Sequence, residues 1–145
     1  MFRLSKKVEY GLLAMQHLAS QDGKLVCAKE MADALCVSFE FLSKSLQKLM
    51  KHGLIKSQQG IKGGYFLADD AANIKLNDVL RAYDENASIV ECMNGSKSSC
   101  ERRGCCTLRN PMAIVQDKIN KIFDEMTVAD LVKEHFIKLE TEIPE

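Results

Sequence analysis

Residues 28–67, AKEMADALCVSFEFLSKSLQKLMKHGLIKSQQGIKGGYFL, carry two helical periods, a tight turn and then a change to strand-like residues. Ala28, Met31, Ala32 and Leu35 recur at three- and four-residue steps and predict a short helix over 28–35. Cys27 takes the N-cap place before it, where Ser or Thr would complete a capping box with Glu30. Cys36-Val37-Ser38 makes a tight turn, and Ser38 is the expected N-cap of a longer helix over 39–52. That helix is expected to turn Phe39, Leu42, Leu46 and Leu49 inward. Gly53 ends it. Residues 54–59 and 65–67 then read as two short strands around Gly60-Ile61-Lys62-Gly63-Gly64, whose glycines permit positive backbone dihedrals and a tight loop. Two short helices joined by a turn and followed at once by a hairpin form a winged helix-turn-helix.

The outward residues of the second helix are Glu40, Ser43, Lys44, Gln47, Lys48 and Lys51. Lys44, Gln47 and Lys51 share one side at helical spacing and are placed to face a major groove together. Ser38 stands at the end that enters it. A solvated amphipathic helix has the same pattern, so the helix alone does not decide. The hairpin strengthens the reading: glycines including Gly63 let backbone approach phosphates, while Lys56, Gln59 and Lys62 supply contacts that position a duplex without reading its sequence. The expected partner is a double-stranded DNA operator.

Upstream, Leu4, Val8, Leu12, Met15 and Ala19 form an apolar stripe over a helix at 3–20, with Glu9 beside the stripe, and Asp22-Gly23 turns the chain. The formal net charge of the 145 residues is zero, yet residues 1–67 hold ten Lys/Arg against five Asp/Glu, and the remainder ten against fifteen. A basic front half suits an anionic partner, although a solvated surface has the same balance. No apolar run is long enough for a membrane span or a signal-peptide core, so a cytoplasmic protein is expected.

Downstream, a short helix over 77–84 carries Val79, Leu80 and Tyr83 and is expected to pack behind the first helix. An irregular stretch over 86–109 follows, containing CMNGSKSSCERRGCC at 92–106, which holds four of the six cysteines. With Met93 its only other apolar residue, this stretch cannot order itself by burial. In a reducing compartment such a cluster reads as metal-binding or redox-active. Asn110 and Pro111 then start a long helix. Its Met112, Val115, Ile119, Ile122 and Met126 alternate three and four residues apart, the narrow seam of a coiled coil. Burial against the chain's own first helix is the alternative. Thr127 caps a last helix through Val128, Leu131, Val132 and Phe136.

The expected architecture is therefore mainly α: a winged helix-turn-helix over 1–85 with a two-stranded wing, a cysteine-rich loop over 86–109, and a dimerisation helix with a C-terminal helix over 110–145. The starting helix RLSKKVEYGLLAMQHLA, the helix-turn-helix, the wing GIKGGYFL, the cysteine loop and TVADLV, in that order, resemble the bacterial winged-helix iron–sulfur regulators typified by IscR and NsrR. The resemblance implies a homodimer formed through the long helix. It also implies a 2Fe–2S or 4Fe–4S cluster on three loop thiolates, matched here by Cys92, Cys100 and Cys106. Cys105 has no counterpart and is the alternative to Cys106. A histidine that closes the site in some members falls on Arg109, which cannot ligate. Other members use a first-helix carboxylate from the partner subunit, and the matching residue is Glu9.

Thiolate-rich loops suit iron–sulfur clusters or zinc. Structural zinc sites pair cysteines two to four residues apart, unlike the gaps of seven and five residues here, which favours the cluster. A cluster-free thiol switch stays open, and so does a small thiol-redox or electron-transfer protein. Against that last reading, no Cys-x-x-Cys pair, phosphate loop or His–carboxylate set supports catalysis.

Overall fold

A computed structural model of the chain describes residues 3–83, 88–90 and 100–133. Three helices form the centre: α1 (Lys6–Ser20), α2 (Ala28–Leu35) and α3 (Phe39–Lys51). The wing follows as β1 (Ile55–Gln58) and β2 (Gly64–Leu67), then α4 (Leu76–Ala82) and α5 (Arg109–Glu125). Residues 128–133 are again helical.

Helix α1 begins at Ser5, whose Oγ accepts the Val8 amide at 3.4 Å. Its buried positions are Val8, Gly11, Ala14, Met15 and Leu18, a stripe rotated from the expected one. Leu4, Leu12 and Ala19 are only half-buried, because α1 is packed by α3 on one side and α4 on another. Cys27 does cap α2: its Sγ accepts the Glu30 amide at 3.4 Å. Cys36 closes α2 in the left-handed region at φ 55°, so the turn into α3 is sharp. Leu42, Leu46 and Leu49 of α3 are fully buried, as expected from their spacing. Phe39 is not. The first turn of α3 overhangs the core and leaves Phe39 55% exposed.

The two wing strands pair antiparallel, with Ile55 opposite Leu67 and Gln58 opposite Gly64. β2 has a second neighbour: Val26 and Tyr65 exchange backbone hydrogen bonds at 3.0 and 2.8 Å, fastening the wing to the segment before α2. The wing glycines act differently from the expectation. Of those at 60, 63 and 64, only Gly60 takes a positive φ. Gly63 and Gly64 are required by close approach, since a Cβ at 63 would lie 2.2 Å from the Gln58 carbonyl oxygen and one at 64 would lie 2.7 Å from Val26 backbone.

Helix α4 packs against α1, as expected, and also against α3 and α5. α5 starts at Arg109, with Pro111 in its first turn where the missing N–H costs nothing. Its far end is clasped to the α4 entrance: the Leu76 amide donates to the Met126 carbonyl at 3.0 Å and the Val128 amide to the Ile74 carbonyl at 2.9 Å. Thr127 and Asp130 cap each other reciprocally, and Val128 is fully buried in the core. Gln16 of α1 donates to the Leu131 carbonyl at 3.0 Å, so the helical segment after α5 returns to the first helix. Phe136 lies outside the described residues.

At the meeting of α1, α3 and α4 stands Tyr83. Its ring covers Gly11, where an added Cβ would meet ring atoms at 2.5 Å. Its hydroxyl is hydrogen-bonded to the Ser45 hydroxyl and donates to the Ser45 carbonyl at 3.1 Å. Burial pushes the Tyr83 phenol up to about 12. Because the folded state holds this proton more tightly, the associated stability is complete below pH 10 and is lost as the pH rises towards 12. Tyr83→Phe is expected to lower unfolding stability by roughly 1–2 kcal/mol at neutral pH in urea titrations. The gap from wild type should close as the pH rises from 10 to about 12; a gap that stays constant would show that the hydroxyl is not its source.

Candidate nucleic-acid interface and cysteine segment

Ser38, Glu40, Lys44, Gln47, Lys48 and Lys51 are all exposed on α3, and Ser43 is half-buried beside them. On the wing, Lys56, Gln59 and Lys62 are exposed and Gly63 is half-buried in the turn. Lys44 bonds Glu40 at 3.4 Å, an exposed pair at helical spacing that contributes little and releases easily. The interior side of α3 is fixed by Leu42, Leu46, Leu49 and the Ser45–Tyr83 hydrogen bonds, so the helix is a rigid mount for its lysines.

Beside these lysines lie residues that periodicity alone did not single out. Tyr10 of α1 stacks on Phe41 of α3 with ring centroids 6.5 Å apart, and Phe41 is 57% exposed. Lys44 Nζ stands 6.0 Å from the centre of the Phe41 ring, and Lys48 Nζ the same distance from that of Tyr83. Lys6 and Tyr10, four residues apart and so on one face of α1, were the available signal.

Cys100, Cys105 and Cys106 carry free, exposed thiols. Two overlapping turns present them: the Arg103 amide donates to the Cys100 carbonyl and the Cys105 amide to the Arg102 carbonyl, both at 3.0 Å. This segment leads directly into α5. Cys92 lies outside the described residues. Among the described residues, no three His, Cys, Asp or Glu side chains converge on a metal position within one chain. Glu9 is half-buried on α1 and holds Lys6 Nζ at 2.7 Å; that hydrogen bond raises the Lys6 pKa.

On α5 the expected seam divides. Ile119, together with Phe123, packs against the chain's own core, and Met112 and Met126 are half-buried. Val115 and Ile122 are exposed, as are Leu108 and Ile114. The backbone before the cysteines touches α5 as well, through the Ile89 amide donating to Gln116 Oε1 at 2.8 Å.

These features define a winged helix-turn-helix regulator of transcription. The chain belongs to the Rrf2 family, described as iron-dependent transcriptional regulators, whose family model matches residues 4–134. It is 30% identical over 131 residues to the HTH-type transcriptional regulator NsrR of Shouchella clausii, covering 90% of this chain and 88% of that one. Among solved structures, CymR, the global cysteine regulator of B. subtilis, superposes with a TM-score of 0.74 at 26% identity, covering 92% of this chain and 98% of CymR. T. potens IscR does so with a TM-score of 0.72 at 27% identity, covering 99% and 93%. The relatives are regulators, and the enzyme reading is set aside. No helix among the described residues is long and apolar enough to cross a membrane.

A brief pulse of N-ethylmaleimide on metal-free protein, followed by peptide mass mapping, is expected to label Cys36, Cys100, Cys105 and Cys106 before Cys27, whose thiol is half-buried and engaged at the start of α2. Cys27 labelling as fast as Cys105 would contradict the capping geometry.

Proposed function

We propose that the chain acts as a homodimer that reads double-stranded DNA and adjusts that reading through an iron–sulfur cluster on Cys92, Cys100 and Cys106. Cys105 is the alternative third thiolate, and Glu9 of the partner subunit supplies the fourth ligand. The observation that carries the reading is the presentation of Cys100, Cys105 and Cys106 on exposed turns at the entrance of a helix whose Leu108, Ile114, Val115 and Ile122 are uncovered. A helix with such a stripe and no fully buried residue suits pairing with a second copy.

The donor set fits the group. Thiolates are the usual ligands of iron–sulfur clusters, and the described ones are free of disulfides. The Glu9–Lys6 pair lies at the surface and is a weak competitor for the carboxylate. When bound, the cluster supplies an iron centre sensitive to oxidants, to nitric oxide and to iron supply. The protein's own part is mechanical. The segment at 88–90 is held on α5 by Gln116, α5 is clasped to α4 at Ile74 and Leu76, and α4 ends at Tyr83 on the recognition helix. The cysteine segment runs covalently into α5, and from there the α5–α4 clasp and the Tyr83–Ser45 contact lead on to α3.

DNA contact falls to Lys44, Gln47, Lys48 and Lys51 in the major groove, with Ser38, Glu40 and Ser43 beside them, and to Lys56, Gln59, Lys62 and Gly63 along the backbone. A cluster-free thiol switch is the second reading, favoured by the likeness to CymR, a cysteine regulator, and by three exposed thiols within seven residues.

Anaerobic purification followed by absorbance, iron and acid-labile sulfide analysis separates the two. The cluster reading expects all three signals in wild type, their loss in Cys92→Ala and Cys100→Ala, and retention in whichever of Cys105→Ala and Cys106→Ala removes the spare thiol. Protein with intact DNA binding but no iron or sulfide would favour the thiol switch. For the DNA contacts, Lys62→Ala should weaken binding across sequences and reduce the slope of log affinity against log salt by about one. Gln47→Ala should instead relax base preference at one position of each half-site, read from competition among variant duplexes; equal loss on every sequence would remove Gln47 from base reading.

A further inference from the structure

A cleft of about 860 Å³ opens between α1 and α3, within the size range of small-molecule sites. Among the described residues, five lysines line it, Lys6 and Lys7 on α1 and Lys44, Lys48 and Lys51 on α3, and no carboxylate does. Among the described residues, Lys7, Lys48 and Lys51 have no ion-pair partner. The floor has different chemistry. Tyr10 and Phe41 are stacked with an interplanar angle of 26°, and Tyr83 closes the inner end with its hydroxyl already bonded to Ser45. Aromatic rings edged by unpaired cations match a molecule with a flat apolar body and a negative charge, which would stack on the rings and bond the ammonium groups.

We propose that this cleft binds a small aromatic anion, a ring system bearing a carboxylate, sulfonate or phosphate, and that its occupancy competes with DNA. The competition rests on the DNA reading above, because Lys44, Gln47, Lys48 and Lys51 line the cleft and also face the duplex in that reading. An anion held there neutralises ammonium groups that phosphates would otherwise use, and occupies space beside the recognition helix. The regulator then has an input separate from its cysteines. Its inner wall is the Tyr83 ring, the same group that fixes α3 against α1 and α4.

The test uses the full-length protein and 2-naphthalenesulfonate as probe. Calorimetric titration without DNA should give saturable binding at one site per chain. Phe41→Leu and Lys7→Gln should each weaken it roughly 3- to 30-fold, the range expected when one ring or one ammonium contact is lost. Thermal melts matching wild type establish that both variants are folded. In the second arm, anisotropy of a labelled duplex selected by the protein from a random pool should fall as the sulfonate is added, and far less with sodium sulfate at equal ionic strength. Binding that does not saturate, that both folded variants leave unchanged, or whose effect on DNA sulfate reproduces, overturns the site. A duplex never bound even without the probe overturns the DNA reading and the competition, while the calorimetric arm still decides the ligand site.

Discussion

The contact on which most of the described structure depends is the seating of Tyr83 over Gly11 with its hydroxyl on Ser45. It joins the end of α4 to the first helix and to the recognition helix through a single side chain. Each component has a separate physical requirement. Position 11 must lack a Cβ, position 45 must offer a polar group inside the core, and position 83 must combine a broad apolar ring with a polar tip. Among the described residues Ser45 is the buried polar one, and Tyr83 is what makes its burial tolerable. The lysines and Gln47 on the outer face of α3 therefore stand on a helix whose orientation is settled from behind.

The second junction is the short bridge between Lys75 and Thr127. Backbone hydrogen bonds there connect the entrance of α4 with the exit of α5, and Val128 continues into the core. α5 itself contributes no fully buried residue, so its position is set by this end clasp and by Ile119 and Phe123. Of the uncovered apolar residues, Leu108, Ile114 and Val115 lie towards the opposite end, beside the cysteines, and Ile122 lies near the clasp. In the proposed dimer, a helix anchored at one end would carry a change at the loop to the partner subunit.

Much of this was legible in the sequence where local chemistry decides. The period of Met31, Ala32, Leu42, Leu46 and Leu49, the stop at Gly53 and the hairpin after it gave both helices and the wing nearly to the residue. Cys27 as a cap followed from its distance to Glu30 alone. What failed depends on what surrounds a helix. The inward stripe of α1 turned towards Gly11, Ala14 and Leu18 because two neighbours pack against it, and periodicity describes only one face. Phe39 kept the period of the buried residues but lies beyond the end of the core. The Tyr10–Phe41 stack and its ring of lysines joins two helices that are not adjacent in sequence, so no window contains it. The lysines proposed to face DNA were readable as exposed helical positions, whereas the proposed ligation by Cys92 and Glu9 concerns loop and dimer, where one chain's periodicity is silent.

The wing glycines also bear on how this scaffold could be redesigned. At positions 63 and 64 the space a side chain would occupy is already filled by backbone, and the next residue, Tyr65, exchanges hydrogen bonds with Val26 before α2. Those two sites are closed to variation. Gly60 is restricted by its φ of 129°, though not by space. That leaves Gln59, Ile61 and Lys62, all exposed, as the positions where the tip can be rewritten without disturbing the hairpin. A library varying the wing tip would therefore concentrate its diversity in three codons and leave the glycines untouched.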